Sequence, residues 1–320
     1  MDSKFDVSLM VKVAQMYYID GMKQEEIAKE LQISRSLISM ILTEARAVGI
    51  VQINIRNPQL NNEELSKEFE EKFNLKQCMI VPTAVQDTNT LRKLVTQRAA
   101  DVFNQEVSER SNVGISWGKT CFEFITQFSS ETVLKDVSVV PLIGGSKQAA
   151  HYFQVNEMVR VFAEKVGGIP YFIYAPSLNA STEEKEVFEN SLYMQPILKK
   201  WANMDIIVAA VGSLPDMNTQ EGKIYIGGTE IESIIEDSRA VGEVCARYFD
   251  KEGNFIKNEY FDRITGISIE ELRRARTTIG MAVGSEKINA ILAAMKTKIF
   301  DIFITDEQTA KSVLKAYNQK

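Results

Sequence analysis

The sequence predicts an α/β fold in two parts: a small all-α, winged-like helix-turn-helix head, then a larger Rossmann-like domain with a largely parallel sheet. Three observations predict this class. Three short amphipathic helical patterns fill most of the first 58 residues, and a tight turn separates the second from the third. From residue 77 onward, short apolar runs alternate with amphipathic helical patterns, as in βαβ units. Each apolar run ends at a glycine, a proline or a polar turn.

The head begins with a helix whose apolar residues recur at three- and four-residue spacing until Gly21 interrupts it. A second short helix is followed by the tight connection Gln32-Ile33. Ser34 then suits the N-cap of a third helix, because its hydroxyl can accept a backbone N–H of the first turn. Gly49 suits the end of that helix. The predicted helices span residues 6–19, 24–31 and 34–48.

A strand and a connecting helix are predicted after these three helices. Residues 50–56 alternate apolar and polar side chains, as in a half-buried strand, and Pro58 ends the unit. A helix then begins near Asn62, and Phe69 and Phe73 belong to its apolar stripe. That stripe packs either on the large domain, which we favour, or on a partner subunit. The predicted domains are 1–58 (head), 59–76 (linker helix) and 77–320 (large domain).

The large domain alternates strands and helices, with no internal repeat and no low-complexity tract. Such alternation predicts a sheet that is covered by helices on both faces. The predicted strands are 77–81, 111–115, 137–143, 170–174, 205–211, 277–283 and 299–304. The predicted helices are 90–107, 119–128, 153–166, 187–202, 286–296 and 306–317.

The composition predicts a cytoplasmic protein. The 320-residue chain has a net charge of −6, but residues 1–58 contain equal numbers of acidic and basic residues. No apolar stretch reaches the roughly 18 residues of a membrane span, and the N-terminus lacks the pattern of a secretory signal. Cys78, Cys121 and Cys245 are far apart and lack zinc-binding spacing, so we expect free thiols.

The helix-turn-helix pattern from Gln24 to Leu42 predicts binding to double-stranded DNA. The third helix presents an outer face of arginine and hydroxyl side chains, which suits the major groove. Because the head carries no net charge, this prediction rests on the geometry of the motif. The alternative is a helical hairpin inside another core, and Gln32 stands where many such motifs place glycine. The predicted DNA-contacting residues are Gln24, Ser34, Arg35, Ser36, Ser39, Met40 and Thr43.

Four glycine-bearing loops that follow predicted strands indicate a ligand site. In parallel α/β sheets, ligands bind beyond the carboxyl ends of the strands, and backbone N–H groups there favour anions. A phosphorylated metabolite would suit this arrangement. Any single loop could instead be an ordinary strand-to-helix turn, and the first is one residue short of a nucleotide-binding P-loop, which disfavours an NTPase. The loops are Gly114–Thr120, Gly144–Ser146, Gly212–Ser213 and Gly284–Lys287.

The sequence offers little support for catalysis. The only histidine is His151, and no Ser-His-Asp set and no metal-binding cluster is visible. We therefore predict neither an enzyme nor a bound cofactor or metal. Asp306 is expected to cap the last helix. Glu243 stands between a glycine and an apolar run, where it is expected to accept ligand hydroxyls, form a buried salt bridge or lie exposed.

Ordered segments over nearly the whole chain resemble the SorC/DeoR-type family of sugar-responsive transcriptional regulators. In the head these segments are YIDGM, QEEIAKELQISRSLISMIL and GIVQINIRNP. In the large domain they are VGISWGKT, VVPLIGG, AVGEVCARYFDKEGN, DRITGISIEELRRA and AVGSEKINAILAAM. The resemblance implies a repressor of a carbohydrate-utilisation operon, with a sensor domain of the sugar-phosphate isomerase/deaminase type that lacks catalysis. It also implies a sugar or sugar-phosphate effector and a homo-oligomer, either a dimer or a tetramer.

The resemblance further implies which residues bind the effector. Three positions depart from the family pattern. Glu243 stands where the family commonly has Asp, and Ile143 precedes the paired glycines, which argues against a covalent lysine adduct there. The residues before Lys287 are Val-Gly-Ser-Glu, where a glycine pair is common. Carried over by position, a phosphate or its equivalent would be held by Ser116, Gly118, Lys119 and Thr120. The full predicted set is Ser116, Trp117, Gly118, Lys119, Thr120, Gly144, Gly145, Gly212, Ser213, Glu243 and Lys287.

Two other classes of protein remain as alternatives. One is a sugar-phosphate isomerase- or deaminase-like enzyme with an unrelated helical N-terminus, which would need a positioned acid and base. The other is a DNA-binding protein whose large domain only assembles subunits. Turnover of a sugar phosphate would favour the first, and the absence of any ligand-induced stabilisation would favour the second.

Overall fold

The computed structural model describes residues 5–51, 62–83, 87–130, 134–146, 152, 154–214 and 239–319. The chain divides into two compact units, Met1–Gln59 and Leu60–Lys320. Within these described ranges, every helix is too short or too polar to cross a membrane.

The first unit contains the three predicted helices. Asp6 and Ser34 begin the first and third of them by accepting the backbone N–H groups of Leu9 (3.1 Å) and Leu37 (3.2 Å). The first helix ends in a π-helical turn, Gln15–Ile19. The helices are α1 Val7–Ala14, α2 Gln24–Leu31 and α3 Arg35–Ala47.

The turn between α2 and α3 explains why glycine is common at position 32. Gln32 has a φ of +55°, in the left-handed region that glycine adopts without steric cost. A glutamine there costs roughly 1 kcal/mol, which the shared apolar core of the head offsets. Residues 52–56 of the predicted strand lie outside the described residues. The core consists of Met10, Val13, Met16, Ile27, Ile38, Ile41, Leu42 and Ala45.

The second unit contains a seven-stranded sheet in which all neighbouring strands are parallel. Each predicted strand corresponds to a strand of this sheet, and six of them differ from the prediction by a few residues at most at their ends. The strand predicted over 170–174 is wrong in its extent, because only Ile169–Pro170 is a strand there. Their order across the sheet is β1-β9-β8-β5-β2-β3-β4. The strands are β1 Gln77–Val81, β2 Asn112–Ile115, β3 Ser138–Pro141, β4 Ile169–Pro170, β5 Ile206–Ala210, β8 Thr277–Met281 and β9 Ile302–Asp306.

Alternate residues of these strands face two separate cores, as expected for a sheet with helices on both faces. Cys78 and Ile80 of β1 belong to one core, whereas Met79 and Val81 belong to the other. The second core includes a cluster of aromatic rings in mutual contact, Phe103, Phe124, Phe128 and Phe162.

The helices of the second unit follow the predicted pattern with two differences. Two short helices, Glu259–Asp262 and Ile269–Arg274, were not predicted. The predicted helix over 187–202 is two helices, because Pro196 stands in the first turn of the second one. Proline lacks the backbone N–H that would continue an earlier helix through this position. Asp306 caps the last helix, as predicted. The helices are α4 Glu63–Phe73, α5 Thr88–Glu106, α6 Lys119–Gln127, α7 Val155–Val166, α8 Thr182–Glu189, α9 Gln195–Trp201, α10 Glu259–Asp262, α11 Ile269–Arg274, α12 Ile288–Lys296 and α13 Glu307–Asn318.

Helix α4 packs on the large domain. Asn62 caps it by accepting the backbone N–H of Leu65 (3.2 Å). Phe69 is fully buried, and its ring stacks on that of Phe303 with centroids 6.0 Å apart. The prediction that the apolar stripe of this helix packs on the large domain is therefore confirmed.

An antiparallel hairpin, β6 Ala240–Val244 and β7 Arg247–Asp250, was not predicted. It turns at Cys245 and Ala246, whose φ angles are +52° and +57°. Two successive left-handed residues form the hairpin turn that Asn-Gly usually occupies. Because neither residue here is Asn or Gly, the sequence carried no hairpin signal.

The strand order reverses between β2 and β5. From β2 the chain proceeds through β3 and β4 towards one edge of the sheet, and from β5 through β8 and β9 towards the other. A crevice forms beyond the carboxyl ends of the strands at such a reversal, and ligands of open α/β sheets bind there. The loops that follow β2 and β5 therefore stand where the ligands of such sheets usually bind.

Candidate functional site

The four glycine-bearing loops leave the carboxyl ends of four adjacent strands. In the sheet, β8, β5, β2 and β3 are neighbours in this order and run parallel. The loops after β2 and β5 flank the strand reversal, and the loops after β3 and β8 lie on either side of them. The predicted effector-binding loops therefore share one edge of the sheet.

The loop after β2 leads into α6 through Gly118. Gly118 has a φ of +102° at the N-cap, where it offers no side chain to the first-turn amides of α6. Those amides and the positive end of the helix dipole favour an anion. Lys119 lies near the ring of Tyr152, with 5.3 Å from Nζ to the centroid, and Thr120 is buried. Trp117 instead packs in a hydrophobic core of the unit.

The paired glycines after β3 have amides that already bond within the protein. The N–H of Gly144 donates to the carbonyl of Thr265 (3.0 Å), and that of Gly145 donates to the carbonyl of Ala175 (2.8 Å). A β-carbon on Gly144 would lie 2.5 Å from the carbonyl oxygen of Pro176. Gly144 therefore lets the backbone segments around Thr265 and Pro176 pack closely against this edge of the sheet.

Glu243 lies on β6 beside Gly212, and the two residues exchange backbone hydrogen bonds of 2.9 and 3.0 Å. A β-carbon on Gly212 would lie 1.9 Å from Oε1 of Glu243, so the glycine makes room for this carboxyl group. Oε2 of Glu243 accepts the N–H of Ala246 (2.8 Å), and the residue is only 6% exposed. Surface exposure, one of the three alternatives for Glu243, is therefore wrong.

Burial dominates the electrostatics around Glu243. It raises the pKa of Glu243 to about 7, against the opposing effects of the Ala246 N–H and the charge of Lys287. Burial also lowers the pKa of Lys287, whose Nζ donates to the carbonyl oxygen of Val211 (2.9 Å). Burial thus disfavours the charged forms of both Glu243 and Lys287, and the charge of each residue favours the charged form of the other.

Ser116 is turned inward, towards residues that the sequence did not single out. It is buried, and its hydroxyl makes a hydrogen bond to the thiol of Cys245. Burial raises the pKa of Cys245 and of Cys121, so both thiols are protonated near neutral pH. A buried cysteine behaves as a small apolar residue, and no sequence signal distinguished these two from ordinary core positions.

The loops after β5 and β8 complete this edge. Gly212 and Ser213 leave β5, and residues 215–238 lie outside the described part of the chain. Gly284 has a φ of +115° and begins a short 3₁₀ turn, Ser285–Lys287. The turn forms with Ser285 in the place of a second glycine and brings Lys287 to the end of β5.

The predicted DNA-contacting side chains lie on the exposed face of α3, except for Gln24, which is half-buried at the first residue of α2. The hydroxyl of Ser34 is engaged in capping and in a contact with that of Ser36 (2.9 Å). Nε of Arg35 lies 3.9 Å from Oε1 of Glu25, and both side chains are mostly exposed. Such a pair is worth no more than about 1 kcal/mol, so DNA can compete for Arg35. The exposed residues of this face are Ser34, Arg35, Ser36, Ser39, Met40 and Thr43.

Comparison with known proteins identifies both parts of the chain. Residues 57–315 match the family model described as "Putative sugar-binding domain", and residues 12–48 match the model of sigma-70 region 4, a helix-turn-helix region. A helix-turn-helix head followed by a sugar-binding α/β domain defines a class of sugar-responsive transcriptional regulators. Within that class, the chain belongs to the SorC/DeoR-type family.

Full-length relatives extend this match over the whole chain. The chain is 28% identical over 308 residues to the deoxyribonucleoside regulator of Bacillus subtilis, covering 96% of this chain and 97% of the relative. It is 26% identical over 316 residues to the sorbitol operon regulator of Klebsiella pneumoniae, covering 98% and 100%. The crystal structure of full-length SorC from that organism matches with a TM-score of 0.75 and 26% identity, covering 97% of this chain and 99% of that one. These relatives are regulators and give the enzyme alternative no support.

The buried carboxyl of Glu243 predicts a pH dependence of stability. Between its ordinary pKa of 4.5 and about 7, Glu243 is protonated in the folded state and ionised in the unfolded chain. The folded state therefore binds more protons in this window, and this contribution to the unfolding free energy falls as pH rises, by about 3 kcal/mol in total. We expect Glu243→Gln to remove this contribution.

The measurement is urea unfolding of the full chain between pH 4.5 and 8, followed by the fluorescence of Trp117 and Trp201, which both lie in the second unit. Glu186→Gln, at an exposed position, is the matched control and should keep the wild-type slope. Identical slopes for Glu243→Gln and wild type would contradict the prediction.

Proposed function

We propose that this chain is an effector-controlled repressor of a carbohydrate-utilisation operon. Residues 1–58 bind operator DNA, and residues 77–320 bind a sugar or sugar phosphate. Residues 59–76 form the linker helix between these two domains. The observation that carries the proposal is the convergence of four glycine-bearing loops at the strand reversal of a chain that also has a helix-turn-helix head. Effector binding shifts the population between states of high and low affinity for DNA, which requires different effector affinities for the two states.

In the DNA complex, the N-terminal half of α3 lies in the major groove. Arg35 reads a guanine with two hydrogen bonds, since its guanidinium matches O6 and N7 of that base. Gln24 and the hydroxyl groups of Ser36, Ser39 and Thr43 contact phosphates and base edges. The neutral head makes binding depend on these contacts more than on long-range attraction.

In the effector complex, the start of α6 holds the phosphate. The first turn of α6, whose N-cap is a glycine, supplies backbone N–H groups, and Lys119 and Thr120 add a positive charge and a hydroxyl. Glu243 and Lys287 contact the hydroxyl groups of the sugar. The backbone around Gly144, Gly145, Gly212 and Ser213 shapes the crevice, and Trp117 supports it from the core.

The names of the relatives support the chemical class of the effector. One relative regulates a sorbitol operon and another is a deoxyribonucleoside regulator, so one name refers to a polyol and the other to a compound that contains a sugar. Glu243 is one methylene longer than the Asp common in the family, which changes its reach by more than about 1 Å. We therefore expect this chain to prefer an effector different from those of relatives with Asp.

We propose that the effector domain does not catalyse a reaction. General acid–base catalysis needs a positioned acid and base, and the full-length relatives of this chain are named as regulators. His151 lies outside the described residues. We further propose that the chain acts in the cytoplasm as a homo-oligomer, a dimer or a tetramer.

Arg35→Ala should weaken specific DNA binding by about 1–3 kcal/mol and relax the base preference at one position of the site. The site is first selected from random double-stranded DNA, and affinity is then measured by fluorescence anisotropy. Arg46→Ala removes the same charge at the other end of α3 and should leave the base preference unchanged. Unchanged affinity and preference in Arg35→Ala would remove Arg35 from the contact surface.

Phosphorylated sugars should bind through the start of α6. The measurement is a thermal-shift comparison of D-glucose, D-sorbitol and their 6-phosphates. A ligand at about 100 times its Kd raises the free energy of unfolding by about 2.7 kcal/mol, and this raises the melting temperature by several degrees. Lys119→Met should raise the Kd for a phosphorylated ligand about tenfold or more. The Kd for the corresponding free sugar or polyol should stay unchanged. Equal losses for both ligands would place the phosphate elsewhere.

A further inference from the structure

Met40 is an exposed apolar side chain on the third helix of the head. Within α3, all of whose residues the structure describes, it is the one large apolar side chain that is mostly exposed, with an exposed fraction of 55%. Ile38, Ile41 and Leu42 of the same helix are buried in the core of the head. A single exposed apolar side chain is common on protein surfaces, so the significance of Met40 depends on where it lies.

Met40 lies on the side of α3 that is turned away from the core. Because an α-helix has about 3.6 residues per turn, residues three, four and seven positions apart share one face. Ser36, Ser39, Met40 and Thr43 have this spacing, and all four are exposed. We call these four residues the outer stripe of α3. Met40 lies between Ser36 and Thr43 along the outer stripe, so a groove that receives this stripe also receives Met40.

The other three side chains of the outer stripe are short and carry hydroxyl groups. The hydroxyl of Ser36 makes a hydrogen bond to that of Ser34 (2.9 Å), and the hydroxyl of Thr43 donates to the backbone carbonyl of Ser39 (2.9 Å). Methionine is longer, unbranched and apolar, and it adapts its shape to the surface that it contacts. Met40 therefore reaches furthest from the outer stripe and can make only an apolar contact with a base pair.

The major groove offers one prominent apolar group, the 5-methyl group of thymine. The other groups on the base edges there are hydrogen-bond donors and acceptors, which lose water without gaining a partner when an apolar side chain covers them. We propose that Met40 packs against the 5-methyl group of a thymine and thereby selects a T·A pair at one position of the operator. The inference rests on the proposed function and deepens it by naming a second base that α3 reads.

Arg35 and Met40 are far enough apart to read different base pairs. Five residues of α-helix rise about 7.5 Å, which corresponds to about two base-pair steps of B-DNA when the helix lies along the groove. The guanine read by Arg35 and the thymine read by Met40 therefore occupy separate positions of the operator. A change at one of these residues should leave the base preference at the other position intact.

The test compares thymine with deoxyuridine, which lacks the 5-methyl group and pairs with adenine in the same way. The full chain first selects its site from random double-stranded DNA, and each thymine of that site is then replaced in turn by deoxyuridine. The Kd of the full chain for each fragment is measured by fluorescence anisotropy. Replacement of the thymine that Met40 contacts should raise the Kd about fourfold, which corresponds to the burial of one methyl group.

Variants at position 40 assign this effect to the methionine. Met40→Ala removes the contact, so its Kd should be the same for the thymine and deoxyuridine fragments. Met40→Leu keeps an apolar side chain and should keep the preference for thymine. Ile19→Ala is the matched control, because Ile19 is 80% exposed in the head but lies outside α3, and this variant should discriminate as the wild type does. Since both positions are exposed, all three variants should keep the melting temperature of the wild type.

The ratio of the two Kd values separates the possible outcomes. Loss of the methyl effect in Met40→Ala, together with its retention in Met40→Leu and Ile19→Ala, would support the proposal. A selected site whose affinity depends on no thymine methyl group, or a Met40→Ala variant that discriminates as the wild type does, would overturn the proposal alone. A selection that returns no site would overturn the proposed function and this inference with it.

Discussion

The parallel arrangement of the seven strands, with one reversal between β2 and β5, is the constraint on which the rest of the second unit depends. Because all strands run the same way, every loop that follows a strand leaves the same edge. The order reverses between β2 and β5, and open α/β sheets bind their ligands at such a reversal. The start of α6, the paired glycines, Gly212 and the turn before Lys287 are brought together by this topology, although they are far apart in sequence.

The contact between Gly212 and Glu243 joins the β6–β7 hairpin to this edge of the sheet. Only a glycine leaves room for the carboxyl group, and the turn of the hairpin closes over that group through the N–H of Ala246. The cost of burying the carboxyl appears as its raised pKa. The carboxyl group of Glu243 is thus held in place by the hairpin that carries it.

The sequence was sufficient for elements whose signal is local. The seven strands and most helices were predictable from apolar periodicity, and Ser34 and Asp306 from their capping positions. The β6–β7 hairpin was not, because its turn at Cys245 and Ala246 has the left-handed geometry without the residues that usually mark it. Pro196 indicates the break between α8 and α9. The amphipathic pattern continues through this proline, so one helix was predicted instead of two.

The candidate site was predictable in its residues and less so in their roles. The glycine loops and the acid in an apolar run, Glu243, could be recognised in the sequence. The amides of Gly144 and Gly145 donate to the carbonyls of Thr265 and Ala175. These contacts join segments that are distant in the sequence, so no local pattern predicts them. The contact between the hydroxyl of Ser116 and the thiol of Cys245 was not predictable for the same reason, since the two residues are distant in the sequence.

The central claim is that one chain couples a sugar site to a DNA site, and linkage makes this coupling measurable from either side. The most direct measurement is the Kd for the selected operator fragment, by fluorescence anisotropy, with and without a saturating sugar or sugar phosphate that stabilises the fold. We predict that the effector weakens operator binding about 5- to 150-fold. An operator Kd that stays the same at saturating effector would contradict it.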